Sequence, residues 1–171
     1  HLTIAKHLKM AVGKYSYFNN ETRAVDFEAM VSDLSKISNG DIVVLHGCCH
    51  NPTGANLNNE QWNIIADLLL EKDAIPFIDI AYQGFGEGIE EDAFGTRLLA
   101  SKFPEMFIAA SCSKNFGIYR ERCGIVITVS KNPDISSITQ GNLSYVNRQN
   151  FSFPPDHGAR LVTMVLTDPD L

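Results

Sequence analysis

Short runs of apolar residues alternate with amphipathic segments along most of the chain. Strands buried on both faces are predicted where the apolar run is continuous, at 41–46, 74–80, 106–110 and 125–129. Helices are predicted where apolar residues recur three and four positions apart, at 26–34, 58–71 and 93–100. Because strands and helices follow one another in turn, the pattern favours an α/β fold with a mostly parallel sheet flanked by helices.

The pattern is less regular at the two ends of the chain. Residues 14–18 predict a short strand that ends at Asn19-Asn20, and residues 157–166 predict a last helix. Pro133 suits the first turn of another helix, because proline lacks an N–H that the first turn leaves unpaired. We expect that helix to be interrupted at Gly141-Asn142.

Polar side chains follow three of the predicted strands where each strand ends. They are Asn51, the segment 79–82 and the segment 111–114. In open α/β sheets, ligands bind beyond the carboxyl ends of the strands. The sequence therefore predicts that these side chains converge on one cleft.

Lys114 lies in a polar loop between two predicted strands. A lysine held in a partly desolvated pocket becomes a nucleophile that can form a Schiff base. Ser111, Ser113, Arg120 and Arg122 add anion-binding groups to the same loop. An amine beside donors for a phosphate is the arrangement that pyridoxal phosphate requires. The alternative is a solvated lysine in an ordinary loop.

Asp79 stands inside an apolar strand, where an unpaired carboxylate is strongly disfavoured. We therefore expect the Asp79 side chain to be paired or functional. His46 and His50, from the preceding strand end, either lie behind Asp79 or are plain loop residues. The sequence leaves both interpretations open.

The loop after residue 45 offers a second kind of chemistry. His46, Cys48, Cys49 and His50 carry the imidazole and thiol groups that bind zinc. Adjacent cysteines lack the usual gap between paired ligands, however, and no second ligand pair stands at zinc-finger spacing. We therefore favour a turn that directs Asn51 into the cleft, and no metal.

The composition of the chain excludes several classes of protein. Its 171 residues suit one domain, and its formal net charge of -6 argues against nucleic acid or an anionic membrane as the main partner. No apolar run approaches the ~18–20 residues of a membrane span. The four cysteines form no disulfide framework, which suits reduced thiols in a cytoplasmic protein. Because the first residue is not methionine, we expect a piece of a longer chain.

Three motifs resemble, in order and spacing, the fold-type I, class I aminotransferases, which include the aspartate and aromatic amino-acid aminotransferases. These motifs are Asn51-Pro52-Thr53-Gly54, the segment 79–85 (DIAYQGF) and the segment 111–122 (SCSKNFGIYRER). The segment 152–160 matches too, so the resemblance covers nearly the whole chain. It implies that residues 1–171 are the central part of the large cofactor-binding domain, without the N-terminal phosphate loop and the small domain.

The resemblance implies catalytic and cofactor-binding roles for the matching residues. Lys114 would hold pyridoxal phosphate as a Schiff base and then move the proton at the substrate α-carbon. Asp79 would pair with the protonated ring nitrogen. Asn51 and Tyr82 would hydrogen-bond the ring oxygen, and Asn51 would also contact the substrate.

The resemblance also implies three anion-binding roles. Ser111 and Arg122 would hold the cofactor phosphate. Arg148 aligns with the arginine that binds a dicarboxylic side chain and, in the family, reaches into the neighbouring subunit's site; a surface arginine is the alternative. Phe153 replaces a small or polar residue of the family, which could disturb how Arg148 is presented.

The implied activity belongs to the full-length parent, acting as a homodimer. It would transfer an amino group between an amino acid (aspartate, glutamate or aromatic) and a 2-oxo acid such as 2-oxoglutarate. We expect the isolated segment to be inactive, because the arginine that clamps the substrate α-carboxylate would lie outside it. The alternatives are a non-catalytic module that does not bind cofactor by itself and, more distantly, a metal-binding module.

Overall fold

The computed structural model describes residues 1–168 and 170. Its secondary-structure elements in chain order are α1 (Leu2–His7), β1 (Phe18–Asn19), β2 (Ala24–Val25), α2 (Phe27–Leu34), β3 (Ile42–His46), α3 (Asn59–Glu71), β4 (Ile75–Ile80), α4 (Phe94–Lys102), β5 (Met106–Ser111), β6 (Gly124–Val129), α5 (Pro133–Asn150) and α6 (His157–Thr167).

The central feature is a four-stranded sheet in the order β3-β4-β5-β6. Strands β3, β4 and β5 run parallel, whereas β6 returns antiparallel beside β5. The register places His46 opposite Asp79, and Asp79 opposite Ala109. The predicted α/β fold with a mostly parallel sheet is confirmed, and its three parallel strands end at the same edge.

The core lies between this sheet and the helices. Trp62, Ile65 and Leu69 from α3 pack with Leu45 and Ile78 from the sheet, and all are at least 96% buried, with relative exposures from 0% to 4%. Each such side chain contributes about 1.5–3 kcal/mol by leaving water. The core is therefore built from the apolar positions that the strand and helix patterns predict.

A capping box stands at the start of α3. The Gln61 N–H donates to Asn58 Oδ1 at 2.8 Å, and the Asn58 N–H donates to Gln61 Oε1 at 3.0 Å. Two backbone donors that the first helical turn leaves unpaired are thus satisfied. This local chemistry fixes where α3 begins after the loop that contains Asn51.

Two local predictions are wrong. Residues 14–17 form no strand, because their tyrosines anchor the segment instead: the hydroxyls of Tyr15 and Tyr17 donate to the carbonyls of Val44 and Ala55, both at 2.8 Å. Helix α5 is continuous across Gly141. A glycine in a helix costs only about 1 kcal/mol, which the rest of the helix offsets.

The prediction that 125–129 is a buried strand is also wrong for this chain. The segment is a strand, but Ile125, Val126 and Ile127 are 58%, 53% and 44% exposed at the edge of the sheet. A continuous apolar run is typical of a buried strand, but it does not identify the element that buries it. Among the described residues, no helix is both long and apolar enough to cross a membrane.

Candidate active site

The strand ends of β3 and β4 and the loop after β5 border a cavity of about 250 Å³. This volume is close to the lower limit of about 300 Å³ for small-molecule sites. Four residues singled out from the sequence line it: Asn51, Asp79, Tyr82 and Lys114. The other lining residues are His1, His46, Cys48 and Ala81. An amine, a carboxylate, a phenol and an amide therefore share one cleft.

Lys114 and Tyr82 meet in this cavity. The Lys114 Nζ lies 4.9 Å from the centre of the Tyr82 ring, and both residues are half-buried. At this distance the ring face attracts the ammonium group, an interaction worth about 0.5–1 kcal/mol or more. The contact holds the amine over the cavity rather than out in solvent.

Asp79 is paired, as its position in an apolar strand requires. Its Oδ2 lies 2.8 Å from Nε2 of His1, and its side chain remains 32% exposed. The sequence did not single out His1, because the contact spans the distance from the first helix to the fourth strand and leaves no local pattern. His1 therefore joins the cavity only through the tertiary fold.

A stack of rings stands next to Asp79. The ring centres of His46 and His50 are 4.6 Å apart, and those of His50 and Tyr17 are 4.1 Å apart. Burial lowers the pKa of both histidines; for His46 the carboxylate of Asp79 acts in the opposite direction. His46 also accepts a hydrogen bond from the Asn51 N–H at 3.1 Å. His46 thus lies beside Asp79, and His50 packs behind it.

The side chains that the sequence predicts to bind anions lie on the loop that carries Lys114 or at the end of β5 beside it. The Arg122 Nη1 donates to Ser113 Oγ at 3.4 Å and to the Tyr119 carbonyl at 3.0 Å. Ser111 Oγ accepts from the Ser113 N–H at 3.2 Å. Ser111 and Arg122 are not among the residues that line the cavity. Ser111 directly precedes the loop that carries Lys114, and Arg122 lies near the end of that loop.

Arg148 lies apart from the cavity, near the end of α5. Its guanidinium stands 5.7 Å from the centre of the Phe153 ring, and its Nη1 donates to the Ser152 carbonyl at 3.5 Å. Phe153 is 81% exposed. Phe153 therefore offers the Arg148 guanidinium an aromatic face.

Asp92 organises the loop that follows Tyr82, and sequence reasoning missed it. Its carboxylate accepts from the N–H groups of Gly84, Gly86 and Glu87 at 2.8, 2.9 and 3.0 Å. Burial acts to raise the Asp92 pKa, but these amides outweigh it and hold the pKa below its usual range. A side chain at Gly86 would place a Cβ 2.4 Å from Asp92 Oδ1. The available signal was an acidic run, Glu90-Glu91-Asp92, after a glycine-rich loop.

The structure groups the possible metal ligands differently from the set considered in the sequence. Potential ligand atoms gather in two groups among the described residues: His1, His46 and Asp79, and Cys48, Cys49 and Asp92. In the second group, the Asp92 oxygens already accept three backbone N–H groups.

A larger cavity of about 520 Å³ has an acidic lining and includes no residue singled out from the sequence.

Comparison with known proteins identifies the family. The family model described as "Aminotransferase class I and II" matches residues 1–171. The chain belongs to the class I and II aminotransferases.

Individual relatives within this aminotransferase family are close. The aromatic-amino-acid aminotransferase of Paracoccus denitrificans is 55% identical over 171 residues, which are 100% of this chain and 43% of that protein. The cytoplasmic aspartate aminotransferase of Dictyostelium discoideum is 45% identical over 100% of this chain and 39% of its own length. The chain thus spans less than half the length of the aminotransferases it matches.

A solved aminotransferase structure has the same fold. The aromatic-amino-acid aminotransferase from Burkholderia pseudomallei, described as covalently bound to pyridoxal phosphate, superposes with a TM-score of 0.95 at 39% identity. The match covers 99% of this chain and 43% of that one. The sheet and helices described above are therefore those of a fold-type I aminotransferase.

Proposed function

We propose that the full-length protein containing this chain is a pyridoxal-phosphate-dependent aminotransferase. It transfers an amino group between an L-amino acid (aspartate, glutamate or aromatic) and a 2-oxo acid such as 2-oxoglutarate. The observation that carries this proposal is the single cavity lined by Lys114, Asp79 and Tyr82. The names of the relatives support both aspartate and aromatic substrates.

The chemistry of the cavity fits pyridoxal phosphate. Lys114 supplies an amine for a covalent bond to the aldehyde, and Asp79 supplies a carboxylate for the ring nitrogen. Tyr82 and Asn51 supply donors for the ring oxygen. When bound, the cofactor supplies an electron sink for the negative charge that develops on the substrate α-carbon.

The residues of the chain would then bind, orient and move protons. Lys114 would hold the cofactor through its amine and would also be the base that moves the proton at the substrate α-carbon. The Asp79 carboxylate would keep the ring nitrogen protonated, because a nearby anion favours the charged form of its partner. Tyr82 and Asn51 orient the ring through its oxygen, and Asn51 also borders the substrate.

Three residues would bind anions. Ser111 and Arg122 hold the cofactor phosphate, with the guanidinium giving charge-assisted hydrogen bonds. Arg148 binds the side-chain carboxylate of a dicarboxylic substrate in the neighbouring subunit's site, so the active protein is a homodimer. The exposed position of Arg148, outside the cavity of its own chain, supports a role across a subunit interface.

We assign residues 1–171 to the central part of the large cofactor-binding domain, with the N-terminal phosphate loop and the small domain elsewhere in the full-length protein. The 43% coverage of the Paracoccus denitrificans relative supports this assignment. So does the exposed apolar face of β6. A cytoplasmic location is supported by four cysteines that are all free thiols.

The test is reduction by borohydride in the presence of pyridoxal phosphate, followed by peptide mass mapping. We expect one adduct, on Lys114, in the full-length protein, and none in Lys114→Ala. Lys72→Ala, which changes a lysine outside the cavity lining, serves as the matched control and should keep the adduct on Lys114. An adduct scattered over Lys6, Lys9 and Lys72 would contradict the proposal. An adduct in the full-length protein but not in the 171-residue chain would identify the chain as a module that does not bind cofactor by itself.

A further inference from the structure

Cys112 and Cys123 lie directly opposite each other at the base of the lysine loop, residues 112–123. The β5–β6 ladder ends with Ser111 opposite Gly124, and the next pair in the same register is Cys112 and Cys123. The Cys112 N–H donates to the Cys123 carbonyl at 3.0 Å. Hydrogen-bonded opposite residues of antiparallel strands have Cα atoms ~5.5 Å apart. Disulfides form where the two Cα atoms are ~4.4–6.8 Å apart, so this separation allows one.

The side chains of this pair are also neighbours. Burial raises the pKa of the Cys112 thiol, and the adjacent Cys123 thiol raises that pKa further. Both cysteines are free and only half-buried. The start of α6 packs against Cys123, because a Cβ at Gly158 would lie 2.8 Å from the Cys123 Cβ.

We propose that Cys112 and Cys123 form a reversible disulfide that closes the base of the lysine loop and weakens binding of pyridoxal phosphate. The weakening rests on the proposed function. The oxidant is a low-molecular-weight disulfide such as oxidised glutathione. One cysteine thiolate attacks it and releases one glutathione, and the second attacks the mixed disulfide and releases another. Two protein thiols are oxidised, one glutathione disulfide is reduced, and the two protons pass to the glutathione thiols.

The effect on the cofactor follows from the neighbours of the two cysteines. Ser113 follows Cys112 and Arg122 precedes Cys123, and they touch across the same gap at 3.4 Å. Opposite Cβ atoms in a sheet are ~4.5–5.5 Å apart, whereas a disulfide draws them to ~3.8 Å. The contraction shifts Arg122, which is one of the two residues proposed to bind the cofactor phosphate. By linkage, bound cofactor lowers the equilibrium constant for disulfide formation by the same factor by which the disulfide weakens cofactor binding.

The experiment equilibrates the full-length protein in buffers of reduced and oxidised glutathione, with and without pyridoxal phosphate. Free thiols are alkylated, peptides are mapped by mass, and the Kd of the cofactor is measured by absorbance titration. We expect a Cys112–Cys123 disulfide and a Kd raised by about 5- to 150-fold, the usual range for coupled sites. Reduction should restore the Kd. Cys123→Ser should remove the response, and Cys49→Ser, the matched control, should keep it.

Two results would overturn the inference. One is that both thiols of the folded protein stay open to alkylation in oxidised glutathione. The other is that a fully formed disulfide leaves the Kd unchanged. If the reduced protein binds no pyridoxal phosphate, both the proposed function and the proposed weakening of cofactor binding are overturned. The peptide masses still show independently whether the disulfide forms.

Discussion

The Nζ of Lys114 lies 4.9 Å from the centre of the Tyr82 ring, although the two residues belong to loops that follow different strands. Neighbouring parallel strands β4 and β5 end at the same edge of the sheet and bring the two loops together. Tyr82 therefore has two separable features, a ring beside the amine and a hydroxyl that we propose hydrogen-bonds the cofactor.

Replacing Tyr82 with Phe separates those two features. The ring beside Lys114 stays and the hydroxyl is lost, so we expect kcat/KM to fall by about 10- to 100-fold, the worth of one hydrogen bond to a charged group. Steady-state kinetics of the full-length protein would measure the fall. Tyr145→Phe, which changes a tyrosine that is 67% exposed, should stay near wild type. An equal loss in both variants would remove the role assigned to the Tyr82 hydroxyl.

Asp92→Asn should destabilise the folded protein by about 2–3 kcal/mol. The amide NH2 would face backbone N–H donors that now bond to a buried carboxylate. Because the folded-state pKa of Asp92 is lowered, its stabilisation is present above the usual aspartate pKa and is lost as the pH falls through the folded value. Urea unfolding at several pH values measures both effects. Glu91→Gln is the control, and a loss of stability as large as that of Asp92→Asn would contradict this account.

Two glycine substitutions in helices should act in opposite directions. A Cβ at Gly95 would lie 2.3 Å from Cε2 of Trp62, so Gly95→Ala should cost about 1–3 kcal/mol by forcing α3 and α4 apart. No described atom lies within 4 Å of a Cβ placed at Gly141. Gly141→Ala should therefore add about 0.5–1 kcal/mol of helix stability. Urea unfolding compares the two directly; a destabilised Gly141→Ala would mean that α5 is not a regular helix there.

Alkaline pH should unfold the protein partly through Tyr15. Burial raises the pKa of Tyr15 from 10.0 to about 12, so the folded state keeps a proton that the unfolded state releases. The stabilisation is complete below the unfolded pKa and is lost as the pH rises from about 10 to about 12, by up to about 1.4 kcal/mol per pH unit. Urea midpoints measured from pH 9 to 12 should fall less steeply in Tyr15→Phe. The exposed Tyr119→Phe should follow wild type, and parallel curves for all three proteins would refute the assignment.

Arg148→Ala should separate the two substrate classes. Loss of a charge-assisted, bidentate contact to a side-chain carboxylate is worth about 3 kcal/mol, or about 100-fold in kcat/KM. We expect that loss for aspartate and less than about tenfold for phenylalanine, measured in the full-length protein. Arg160→Ala, on the exposed side of α6, is the matched control. If aspartate and phenylalanine are equally affected, Arg148 does not select dicarboxylates.

Much of the fold was predictable because it depends on local patterns. The continuous apolar runs before His46, Asp79 and Ser111 gave the parallel strands, and Asn58 with Gln61 marked the start of α3. The segment 14–17 was not predictable in this way. Its alternation of tyrosines with polar residues satisfies a strand pattern, but the tyrosine hydroxyls donate to the backbone carbonyls of Val44 and Ala55 instead.

The sequence by itself determined the four strands of the main sheet and the strand or strand-end loops that carry Asn51, Asp79, Tyr82 and Lys114, because periodicity, capping and turn residues act over a few positions. Only the tertiary structure decided which side chains meet. It set His1 against Asp79, gave Asp92 its three amide donors and placed Cys112 opposite Cys123. Contacts between residues far apart in the chain depend on strand order and register, and neither leaves a signal in the neighbouring residues of the sequence.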